Sequence, residues 1–334
     1  MVSSPGFFEF LRRGCPMYRE FYGLAEDPFA LEPDPRFLYL PPAHFHVYSS
    51  MMAGINEKKG LIVVTGEVGT GKTLFIHALL KDLGGGVKTA FVFHPGLSLK
   101  DLLKEILLQL DVPVGEKEQS LAFFVSTFRE YLNQRLARHE IVAVVIDEAQ
   151  NLDEETLKGL GRFCDADTPA GSVLQVLLVG HPELDAKLGS EHLRPLKQRI
   201  EVHCRIPTLD RQEGRAYMEH RLKVAGQRFS GTFTPDAAVR IREFAHGVPR
   251  VINLVCDRAL RIGFHRRSPV VDAKIAGLAI KELDYLRPAS AGPLRRILSP
   301  GRTALRIYRI IMLLLSLALF VFSMRKLLAV LLHR

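Results

Sequence analysis

At 334 residues the chain is longer than a usual single domain and points to two domains, or to one with a lid and an appendage. Its 47% hydrophobic and 24% charged residues are a globular balance, which excludes a disordered or low-complexity chain. The formal charge of +9 would by itself raise nucleic acid as a partner, but nine Lys or Arg follow the last acidic residue, Asp284, and the 36 basic residues before them match 36 acidic ones, so nucleic acid is disfavoured.

The opening residues carry no cationic stretch leading into an apolar one, so no secretion signal is expected, and Met17 can serve as the true start. Residues 18–43, with DPFALEPDPRFLYLPP, read as an extended segment laid over a domain; the N-terminal segment is taken as 1–43. A helix is expected over 44–57, stopping at Gly60. Continuous apolar runs at 61–65, 89–93, 141–147, 173–180 and 200–206 fit buried parallel strands. Helical spacing separates them at 98–110, 119–138 and 154–163. Strand alternating with helix means an α/β layer with a mostly parallel sheet, a core assigned to 44–206.

After Pro207 the pattern turns helical. One helix is expected from Asp210 to Gly226, and another with Thr234 as N-cap, Pro235 at the first helical position and Gly247 past the end. VPRVINLVCDRALRIGF and DAKIAGLAIKEL supply two more, giving a small all-helical domain over 207–286. Residues 287–304 read as a basic linker rich in Pro, Gly and Ser. Then comes RIIMLLLSLALFVFSMRK. Its uncharged core of about fifteen residues spans about 22 Å as a helix, against about 30 Å of bilayer hydrocarbon. Extending it to 305–328, with Arg306, Arg309, Arg325 and Lys326 reaching outward, closes the gap and leads to the expectation of a transmembrane helix with a short tail at 329–334. Six basic residues precede the run and three follow, which places the body on the cytoplasmic side. Arg287 to Arg309 are expected against anionic lipid, each contributing about 1 kcal/mol.

The chemistry concentrates in two motifs. Gly66-Glu67-Val68-Gly69-Thr70-Gly71-Lys72-Thr73 fits G-x-x-x-x-G-K-[ST] between a strand and a helix. Glycines let the backbone wrap phosphate oxygens, and successive N–H groups with the helix N-terminus hold the negative charge. Lys72 is expected on the β/γ-phosphates of ATP and the Thr73 hydroxyl on Mg2+. VAVVIDEAQ ends a strand in Asp147 and Glu148, the first expected to hold Mg2+ and the second to orient and polarise the attacking water. His181, in LLVGHPEL, is a candidate for contact with the γ-phosphate; Arg199 and Arg250 are candidate phosphate-facing arginines. Scattered Cys15, Cys164, Cys204 and Cys256 form no CxxC pair, so a zinc or redox site is not expected and the thiols read as reduced. His44 and His46 are two apart, on different sides of a helix, so no metal site is expected there.

The order of Walker A, DEAQ, LLVGHPEL, LKQRI and GVPRVINLVCDRAL, after MYREFYGLAEDPFALEPDPRFLYL, resembles the AAA+ ATPases of the GspA/ExeA type over residues 17–285. The resemblance implies a five-stranded αβα P-loop core, a helical lid, and nucleotide held between them and a neighbouring subunit of a ring or other oligomer. It assigns Gly66–Thr73 to Walker A, Asp147 and Glu148 to Walker B, His181 to sensor 1 and Arg250 to sensor 2. Arg199 matches the arginine that reaches the next subunit's site. His181 departs from the Gln or Asn usual there, which bears on hydrolysis more than on binding. The function implied is a membrane-tethered ATPase, in the inner membrane, that assists an envelope secretion, pilus or exopolysaccharide/exosortase machine. The alternatives are a DNA-handling ATPase of the transposition-helper or origin-binding type, and an ATP-gated scaffold with little turnover.

Overall fold

The computed structural model describes residues 16–93, 96–115, 120–164 and 173–285. The linker, apolar run and tail expected over 287–334 lie outside the described residues, as do residues 1–15. Among the described residues no helix is long and apolar enough to cross a membrane.

Five strands form one sheet: β1 (Leu61–Gly66), β2 (Val87–Val92), β3 (Ile141–Ile146), β4 (Leu174–Gly180) and β5 (Ile200–Ile206). Their order is β2-β3-β4-β1-β5, and every pairing is parallel. β1, β3 and β4 are buried almost throughout, as a parallel sheet covered on both faces requires. β2 begins two residues before the run expected at 89. Lys88 is exposed there yet still pairs with Val142; an edge strand tolerates the charge, so hydropathy alone missed its start.

Chain alternation decides which face each helix covers. One face packs Val63, Val144, Val176 and Leu178 against α4 (Leu99–Gln109), α5 (Leu121–Ala137) and α6 (Glu154–Gly161). The other packs Ile62, Val64, Val145 and Leu177 against α2 (Pro42–Asn56) and α3 (Lys72–Asp82). Three helices start at side-chain caps: Ser98 accepts from Asp101 N–H, Ser120 from Phe123 N–H and Asp153 from Thr156 N–H. Such a cap contributes about 1 kcal/mol by satisfying an otherwise orphaned donor. Two short helices, α7 (Pro182–Leu188) and α8 (Arg194–Lys197), link β4 to β5.

Four further helices pack together: α9 (Arg211–Val224), α10 (Pro235–Ala245), α11 (Pro249–His265) and α12 (Ala273–Tyr285). Asp210 is the N-cap of α9 and closes a capping box with Glu213, so the helix starts one residue after the expected position. Thr234 caps α10 as expected, with Pro235 at its first position.

The segment expected to be extended instead starts as helix α1 (Pro16–Tyr22) and includes a 3-10 turn at Pro35–Phe37. It lies on the helical bundle as a strap. Tyr18 Oη is 2.9 Å from Asp27 and 3.2 Å from Asp257, while Tyr22 Oη donates to the Ser268 carbonyl. Arg221, only 4% exposed, donates from Nε to the Pro28 carbonyl and from Nη2 to that of Ala30 at 3.0 Å. Its guanidinium sits 4.4 Å from the centre of the Phe37 ring. The sequence marks this segment as laid over a domain, but not over which one.

Candidate functional site

The glycine-rich loop leaves β1 at Gly66 and enters α3 at Lys72. Gly69 and Gly71 have φ of +86° and +96°, left-handed values that glycine adopts without strain. A side chain built on Gly71 would meet no atom within 4 Å, so the last residue of the loop before α3 faces open space. Thr70 Oγ1 donates to the Glu67 carbonyl at 2.9 Å and braces the turn. Exposed Glu67 reaches Arg205 at 3.2 Å, and Val68 is half-buried.

Lys72 is 5% exposed. Its Nζ donates to the carbonyls of Gly66 (2.8 Å) and Glu67 (3.0 Å) and lies 2.9 Å from His181 Nδ1. Desolvation brings its pKa down to about 8, against the opposing pull of Glu148 and Asp147. An ammonium has only donors, so His181 Nδ1 accepts and Nε2 carries the proton, pointing at Glu148 Oε2 at 3.2 Å. His181 thus bridges Lys72 and Glu148.

That bridge is a product of strand order. The strand carrying Asp147 and Glu148 is not next to β1; β4 lies between them and delivers His181 into the gap. Asp147 still reaches the loop: Thr73 Oγ1 donates to its Oδ2 at 2.9 Å. Burial raises the Asp147 pKa, while Thr73 and the Glu148 N–H oppose the rise. Glu148 is held below the usual carboxylate range, first by its hydrogen bond to His181 and also by Gln150 and Lys72. It is therefore ionised at neutral pH. Its φ of +56° is a left-handed conformation that costs a non-glycine residue about 1–3 kcal/mol and persists only when its surroundings hold it.

Two nearby groups escaped the sequence reading. Gln150 Nε2 donates to Glu148 Oε2 at 2.8 Å, and its Oε1 accepts from the His181 backbone N–H at 3.1 Å. Asp185 accepts from Thr65 Oγ1 at 2.9 Å and lies 2.8 Å from His203 Nε2, tying α7 to β1 and β5. Gln150 stands in the quoted DEAQ run, two places after Glu148; Asp185 had no signal beyond its charge.

The arginines stand apart. The helical bundle meets the loop through backbone: Arg250 N–H, at the start of α11, donates to the Gly69 carbonyl at 3.1 Å. This sets the positive end of the helix against the phosphate loop, while the Arg250 side chain is exposed. Arg199 Nη1 donates to the Gly161 carbonyl at 2.7 Å, away from this chain's own Lys72 cluster. His44 is buried beside Phe75 and His46 is exposed.

A hard divalent cation needs oxygen ligands, and the Thr73 hydroxyl beside the Asp147 carboxylate offers them at the end of the open loop. The residues present fit a Mg2+–nucleotide.

The AAA domain family model matches residues 55–188. General secretion pathway protein A of Aeromonas hydrophila is 35% identical over 271 residues, covering 81% of this chain and 49% of that protein. The chain thus spans about half the length of this relative. Among solved structures, Cdc6p from Pyrobaculum aerophilum has a TM-score of 0.62 at 17% identity, covering 78% of this chain and 71% of that one. The Aeropyrum pernix ORC2 protein, solved as ADPNP-ADP complexes, has a TM-score of 0.56 at 15% identity, covering 75% and 72%. At those identities the two structures show a shared fold and nothing finer. Over the residues shared with the secretion relative, the chain belongs to the AAA ATPases of the GspA/ExeA type.

Proposed function

We propose that the chain binds and hydrolyses ATP, and that a membrane-tethered form of it serves an envelope secretion, pilus or exopolysaccharide/exosortase machine. One observation carries the chemistry: Lys72, Thr73, Asp147, Glu148 and His181 form a continuous hydrogen-bonded cluster at the end of the open loop. The loop N–H groups and Lys72 bind the phosphates. Thr73 and Asp147 hold Mg2+, which when bound neutralises phosphate charge. Ionised Glu148 orients the attacking water and accepts its proton, and His181 stands where it can sense the γ-phosphate through Lys72. The N-terminal end of α11, with Arg250, closes over the nucleotide. Arg199 serves the site of a neighbouring subunit in a ring or oligomer. The envelope role draws on the secretion relative, and the tether and its lipid contacts on the apolar run and basic linker of the sequence.

Phosphate release by the wild type and by Glu148→Gln tests the chemistry. The variant should retain nucleotide and lose turnover by about 100-fold or more, the scale expected for removing a general base. Equal, slow rates would favour the ATP-gated scaffold. Fractionation of the full chain against a form truncated after Arg287 tests the tether; equal partition would remove it.

A further inference from the structure

We infer that Gln150 is a positioning residue for Glu148, aiming its carboxylate from a fixed seat between the ends of β3 and β4. This inference rests on the reading that the chain hydrolyses ATP through Glu148.

The carboxamide has one orientation open to it. Its amino group faces the Glu148 carboxylate and its oxygen faces the His181 N–H; turned over, it would set oxygen against oxygen and N–H against N–H. The seat is tight, since a Cβ on Gly180 would come within 2.6 Å of Gln150 Oε1. The backbone of the turn is pinned as well. Lys187, from α7, donates to the carbonyls of Gln150 (2.8 Å) and Leu152 (2.5 Å).

The stitching has something to hold. Glu148 is left-handed, with φ +56°, and a relaxed backbone would swing its side chain away from the phosphate loop. His181 and Gln150 both engage Oε2, so Oε1 takes no part in that grip and is turned to meet water. Of the two clamps, His181 also answers to Lys72, whose ammonium leaves for phosphate when nucleotide binds. Gln150 has no such second allegiance, so it keeps the carboxylate aimed through that exchange.

Two variants separate aiming from scaffolding. Gln150→Ala removes both hydrogen bonds. Gln150→Glu keeps an acceptor for the His181 N–H but loses the donor to Glu148. Turnover and affinity for a fluorescent ATP analogue with Mg2+ are measured on the full chain, with thermal unfolding to verify the fold. Both variants should lose about 10- to 100-fold in kcat, the scale of a misplaced reacting group, with affinity unchanged within about twofold. A wild-type-like Gln150→Glu, or affinity falling in step with kcat, would overturn the inference. A wild type without Glu148-dependent turnover would sink the hydrolysis reading itself and this inference with it, an outcome seen before either variant is made.

Discussion

Lys72 and Arg221 are both buried cations, 5% and 4% exposed, and they do opposite work. Lys72 sits among ionisable partners, Glu148 and Asp147, and burial has already brought its pKa to about 8. Its hydrogen bonds run to two loop carbonyls and to His181, partners it can exchange for phosphate. Arg221 is held by the carbonyls of Pro28 and Ala30, by the Tyr217 hydroxyl and by the Phe37 ring. A guanidinium keeps its proton, and its rigid fork suits several fixed acceptors at once. Equal burial therefore gives a responsive charge at the sheet rim and a structural one under the strap.

The contrast breaks most visibly at Arg221. Arg221→Ala leaves the strap carbonyls unpaired and should lower stability by about 2–4 kcal/mol, read by thermal or denaturant unfolding. Arg221→Lys should recover only part of it, because a point charge cannot span the same acceptors.

Gly247, between α10 and α11, gives a smaller loss. Its φ is +73°, and an added Cβ would lie 2.0 Å from the Leu209 carbonyl, whose own N–H donates to Gly247. Gly247→Ala should destabilise by about 1–3 kcal/mol. It should also weaken nucleotide binding, since α11 and its contact to Gly69 follow two residues on.

Lys72 sharpens the comparison from the other side. Binding phosphate favours the ammonium, which the free protein holds below about pH 8 and loses above it. Nucleotide affinity should be flat below that pH and fall by at most about tenfold per unit above it. A flat profile to pH 9.5 would show that Lys72 either keeps its proton over this range or is not the phosphate ligand. The smallest effect is expected at Arg36, whose clasp with Glu26 and Asp34 is exposed; Arg36→Ala should leave the unfolding midpoint nearly unchanged.

Local chemistry was legible wherever the cause lay within a few residues. Thr234 with Pro235 announces a helix start because a cap acts across one turn. Gly69 and Gly71 mark a loop whose φ values other residues resist. The edge start of β2 was less legible, because its ladder to β3 overrides the exposed Lys88. Arg221 carries no local signal beyond its charge, since its partners in the strap lie about 190 residues earlier.

By itself the sequence determined the apolar strands, their alternation with helices, the phosphate loop and the identity of the paired carboxylates, all properties of composition and short-range spacing. Only the tertiary structure decided that β4 enters between β1 and β3, which places His181 on both Lys72 and Glu148 and seats Gln150 against them. A parallel strand's neighbour is chosen by long crossovers and by burial on both faces. No window of adjacent residues carries that choice.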